Sequence, residues 1–195
     1  EEAEKLYGVP IGKRNKLNVT TQIQQRWNFC APATVSMMLA SRGKIVDQFT
    51  LAREMGTYEP FGTHNRDAIR ILNKYMFGYE FPQTNQAGYR IETVRKVNSA
   101  SIGLFKQRLI KNTQDGYPMY YTFNPGKIYP GIANAEHNVA GAGYIATPDN
   151  KDVALVYYVD PYYKFQDPIY GGLKVVTPEE LLNAMVGVSE PDYAW

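Results

Sequence analysis

The hydrophobic period of this chain changes near Gly116. Before that point apolar residues recur at helical spacing. Val35, Met38 and Leu39 form one stripe, Ala68, Ile69, Leu72 and Tyr75 a second, and Leu104, Phe105, Leu109 and Ile110 a third. After it, β-branched and aromatic runs over residues 118–123, 137–145, 153–159 and 173–176 read as strands, parted by Pro, Gly, Asn and Asp clusters. Helices first and strands afterwards imply an α+β fold, with N-terminal helices packed on one side of a C-terminal antiparallel sheet.

Punctuation refines this reading. Pro32 fits the first turn of a helix over residues 31–41, where a missing N–H costs nothing, and Gly43 is a plausible stop. A short helix over residues 49–55 is expected to be capped near Asp47 and closed by Gly56. Asn65 is the expected cap of the next helix, and residues 78–98 read as an irregular connection. Thr177-Pro178-Glu179-Glu180 starts the last helix, with Thr as cap, Pro in the first position and acids in the first turn. Residues 1–20, broken by Pro10 and Gly12, read as a loose arm that becomes extended at Leu17-Asn18-Val19. Residues 21–195 read as one domain, long enough for its own core.

Charge and composition exclude several partners. The 21 basic and 19 acidic residues leave a net charge of +2 and form no basic stripe, which argues against nucleic acid. No apolar run reaches membrane-spanning length, so no membrane insertion is expected. Glu1-Glu2-Ala3-Glu4-Lys5 does not resemble a signal peptide, although a mature form beginning after a removed leader has the same look. A single cysteine excludes an internal disulfide. With two histidines and no short ligand spacing, no metal or other cofactor is expected.

That one cysteine, Cys30, opens an apolar helical stretch in Gln24-Gln25-Arg26-Trp27-Asn28-Phe29-Cys30-Ala31-Pro32-Ala33-Thr34. Free N–H groups and the dipole at a helix N-terminus favour a thiolate. His137, in a strand-like run, and Asp160, ending another, complete the parts of a thiol nucleophile with its base and orienter. Gln24 or Gln25 is placed to donate an amide N–H to a developing oxyanion, alongside the Cys30 N–H. Such a donor is worth roughly 3 kcal/mol in the transition state. His64 lies in a loop context and is the weaker candidate for the base. Each part has a bland counterpart: a lone cysteine as a small buried residue, Asp-Pro as a turn, glutamines as solvated side chains.

In order along the chain, these residues resemble papain-like cysteine peptidases. The likeness is to the peptidases that cleave double-glycine leaders of bacteriocins and to their stand-alone relatives. That family shows a glutamine six residues before the cysteine, then Cys-Gly-Pro-Ala and a helix. Here Gln24 has that spacing, and Cys30-Ala31-Pro32-Ala33 carries alanine for the glycine. Leu51-Ala52-Arg53-Glu54-Met55-Gly56-Thr57 resembles the second helix. His137-Asn138-Val139-Ala140-Gly141-Ala142-Gly143-Tyr144 is similar to the histidine strand, Val159-Asp160-Pro161-Tyr162 to the aspartate strand end, and residues 179–185 to the closing helix.

The resemblance implies a papain-like fold and a cysteine peptidase working through Cys30, His137 and Asp160. It assigns the oxyanion role to Gln24 and implies a thioester acyl-enzyme, a peptide or protein substrate, and a place outside the cell or on its surface in Gram-positive bacteria. Two other readings stand beside it. One is a thiol-dependent amidase or transpeptidase acting on cell-wall peptide. The other is a non-catalytic module binding peptide or glycan on the same scaffold.

Overall fold

A computed structural model describes residues 8–195. In chain order its elements are β1 (Arg14–Lys16), α1 (Cys30–Ser41), α2 (Gln48–Met55), α3 (Asn65–Phe77), β2 (Ile91–Thr93), α4 (Ser99–Asp115) and β3 (Met119–Phe123). There follow β4 (His137–Ala146), β5 (Val153–Val159), β6 (Leu173–Val176), α5 (Pro178–Met185) and β7 (Asp192–Ala194). The strands make one antiparallel sheet in the order β2-β7-β3-β4-β5-β6, with β1 also on β4. Of the expected arm, residues 1–7 lie outside the described residues. Its extended part comes at Arg14–Lys16 rather than at residues 17–19, and it belongs to the sheet.

The sheet is buried on both faces. β3, β4 and β5 have no exposed position. Tyr120, Ala140, Ala142, Leu155 and Tyr157 pack with α1, α2 and α3, whereas Tyr121, Phe123, Val139, Val156 and Tyr158 pack with α4 and α5. The α+β arrangement is as expected, but the N-terminal helices do not all share one side: α4 lies with α5 on the opposite face. Strands such as Met119-Tyr120-Tyr121-Thr122-Phe123 have no polar face to leave in water, so a second helical layer must cover them.

Helix α1 is the centre of the first layer. Residues 31–39 are all buried, as befits a helix that is apolar on every side and wedged between β4, α2 and α3. Local signals set the other helix ends. The Asp47 side chain accepts from the Thr50 N–H at 2.9 Å, and Gly56 closes α2 at a φ of 69°. The start of α3 differs from expectation. His64 holds the cap position and Asn65 is the first helical residue; the Asn65 N–H donates 2.7 Å to Glu190 Oε1. A carboxylate distant in sequence thus replaces the local cap.

Candidate active site

At the start of α1 the cap position is taken by Phe29, which supplies no side-chain hydrogen bond. Its ring is buried edge-on against Phe49 at 5.2 Å. The first-turn amides therefore have no side-chain oxygen to satisfy them, beside the half-buried sulfur of Cys30. Across a cleft of about 540 Å³ stands the end of β4. Gln24, Cys30, Thr63, Glu136, His137 and Tyr162 are among its lining residues.

His137 is 7% exposed, and its Nε2 donates to Asp160 Oδ1 at 2.7 Å. Burial on its own would lower the pKa of the ring. The Asp160 carboxylate and the hydrogen-bonded sulfur of Cys30 more than reverse that, and the imidazole is raised to about 10. It is an imidazolium at neutral pH. With Nε2 committed to Asp160, Nδ1 is the nitrogen left for the sulfur.

Asp160 has no exposed surface and is held from several directions. The Tyr162 N–H donates to Oδ1 at 2.9 Å and the Tyr129 hydroxyl to Oδ2 at 2.7 Å. Its backbone N–H reaches the Gly172 carbonyl at 2.8 Å. A Cβ on Gly172 would sit 2.3 Å from the Asp160 carbonyl oxygen, so only glycine permits this approach. The Tyr129 ring stacks on Phe165 at 3.9 Å, closing one side of the pair against water.

Gln24 lines the cleft, and its Nε2 donates to the carbonyls of Arg26 (3.1 Å) and Trp27 (3.0 Å). Its Oε1 is buried without a partner. Gln25 is exposed, and its backbone N–H is tied to the Gln48 side chain at 2.9 Å. His64 stays apart from Cys30; its Nδ1 is hydrogen-bonded to Glu190 Oε2 at 2.7 Å and its ring is stacked on Phe61 at 4.5 Å. Among the described residues, no group of three His, Cys, Asp or Glu is placed to hold a metal ion, and no helix is long and apolar enough to cross a membrane.

Two residues at the site carried no sequence signal. Tyr129 reaches Asp160 from a loop. Asn138 follows His137 in β4 and accepts from the Cys30 sulfur at 3.2 Å. Only the pairing of β3 with β4, which sets Thr122 opposite Asn138, makes the second legible.

The model of the Peptidase_C39 like family matches residues 16–178. The chain belongs to this family. It is a cysteine peptidase with a papain-like fold. Solved structures similar to this C39-like peptidase share little sequence with it. A C39-like peptidase from Bacillus anthracis is 17% identical with a TM-score of 0.60, over 93% of this chain and 96% of that one. A double glycine motif protease from an AMS/PCAT transporter, in complex with the leader peptide, is 15% identical with a TM-score of 0.52, over 95% and 96%. The peptidase domain of Streptococcus ComA, a bi-functional ABC transporter, is 12% identical with a TM-score of 0.51, over 91% and 97%. No curated protein sequence matches the C39-like chain.

Proposed function

We propose that this peptidase hydrolyses peptide bonds through a Cys30–His137–Asp160 triad and a thioester acyl-enzyme. One observation carries the reading: the sulfur at an uncapped helix N-terminus shares a cleft with an imidazolium that is paired to a buried carboxylate. The thiolate, flanked by His137, attacks the scissile carbonyl carbon. Asp160 keeps the ring turned so that Nδ1 faces the sulfur. The developing oxyanion takes the Cys30 N–H. Gln24 adds a second donor by exchanging one of its two backbone acceptors for the substrate oxygen. His137 then gives its proton to the leaving amine, and a water molecule deprotonated by the same ring cleaves the thioester.

The substrate of this reading is a peptide lying along the cleft. Trp27 and Phe61 line it together with Tyr162 and Phe165, so aromatic surface is available to side chains of an extended chain. A site of action outside the cell or at its surface belongs to the same proposal.

The test is direct. Iodoacetamide is expected to label Cys30 rapidly at neutral pH, and Cys30→Ala and His137→Ala are expected to abolish cleavage of a peptide library. Turnover by Cys30→Ala would sink the reading. Products carrying an added amine in place of water would move it to acyl transfer.

A further inference from the structure

The sulfur has a second polar neighbour besides the imidazole, and a buried relay fixes which atom of that neighbour it meets. Asn65 Nδ2 donates to Asp192 Oδ2 at 3.0 Å and to the Glu190 carbonyl at 3.3 Å, and a backbone carbonyl can only accept. On the other side of the same amide, the Tyr120 hydroxyl donates to Asn65 Oδ1 at 2.9 Å. Tyr120 is fully buried, and burial first, then the charges around it, raise it well above the ordinary tyrosine range, so it remains a donor. Both sides of the Asn65 amide are thus determined. Its oxygen faces Asn138 Nδ2 at 3.4 Å, and that nitrogen also donates to Thr122 Oγ1 at 2.7 Å. Asn138 is left with one orientation, carbonyl oxygen toward sulfur, at 3.2 Å.

An oxygen there accepts from S–H and repels a thiolate. We propose that Asn138, held in this orientation by Asn65, stabilises the S–H form of Cys30 and opposes the thiolate that the helix terminus and His137 favour. The inference rests on the peptidase reading and adds to it a residue touching the reacting atom. Activation is then a simple deprotonation: the S–H bond breaks, the proton passes to solvent, and the electron pair stays on sulfur beside the His137 imidazolium. The titratable groups that face the sulfur are His137 from β4 and Tyr120 from β3. The carboxylates of Glu136, Glu190 and Asp192 surround Tyr120, and α1 itself contributes no charge.

The experiment is the rate of iodoacetamide alkylation of the whole chain against pH, with the fold checked by circular dichroism. Asn138→Ala removes the oxygen. It is expected to move the half-maximal rate down by about one pH unit, and to speed alkylation at pH 6 by roughly tenfold. Asn65→Leu leaves Asn138 in place but frees its amide to turn over, and is expected to move the profile the same way. A purely structural role would slow or scale the rates without moving the midpoint downward. A midpoint that stays or rises in either folded variant overturns the proposal. Turnover by Cys30→Ala would defeat the peptidase reading instead, and leaves this alkylation result standing on its own.

Discussion

Helices α1 and α5 each carry a proline in the first turn, Pro32 and Pro178, yet their N-termini are finished differently. At α5 the Thr177 hydroxyl accepts from the Glu180 N–H at 3.1 Å, and Glu179 and Glu180 stand where the dipole is positive. At α1 there is neither a side-chain cap nor an acid in the first turn. The cap position there is occupied by Phe29, whose ring packs against Phe49. One terminus satisfies its own amides for stability. The other leaves them for whatever negative charge arrives, and its stability is supplied by packing along the buried helix.

The sharpest way to break this contrast is to compare substitutions at the two ends. Cys30→Ala is expected to lower turnover by roughly a thousandfold or more in a peptide-cleavage assay, while the fold persists. The next effect falls on the imidazole that faces the sulfur at the open terminus. His137 is held at about 10 in the fold against 6.5 for the unperturbed side chain. A raised value means that its contribution to stability is complete below pH 6.5 and fades as the pH climbs from 6.5 to about 10. Asp160→Asn removes the charge responsible, and is expected to cost about 3 kcal/mol in urea denaturation at pH 6. That difference should shrink toward pH 10.

Phe29→Ser sharpens the comparison from the other direction. The new hydroxyl offers α1 the cap it lacks, worth about 1 kcal/mol, but the lost ring costs about 3 kcal/mol. A net loss of roughly 2 kcal/mol is expected in the same denaturation assay, which would show why packing holds that position. The smallest effect is at α5: Thr177→Ala should lower stability by about 1 kcal/mol with turnover unchanged.

The same contrast explains what the sequence alone revealed. Asp47, Gly56, Thr177 and Pro178 act on their nearest neighbours, so the helix ends they set are legible without a structure. The Glu190 carboxylate that takes the first amide of α3 is remote in sequence, so the local sequence points to Asn65 as the cap instead. β2 and β7 are three residues each, too short to show a period; they exist as strands because they pair with one another and β7 with β3. Cys30, His137 and Asp160 were visible because each sits at a recognisable boundary of an element, and Gln24 separated from Gln25 only through family spacing. Tyr129 and Asn138 were invisible because nothing local marks them. A loop fold and a strand register bring them to the site.

The strand that comes last in chain order lies inside the sheet, between β2 and β3. Its Asp192 also anchors the Asn65 amide beside the cleft. A nascent chain consequently has an unfilled slot in its scaffold until residues 192–194 leave the ribosome. Catalytic competence should therefore appear only once those residues have joined the sheet.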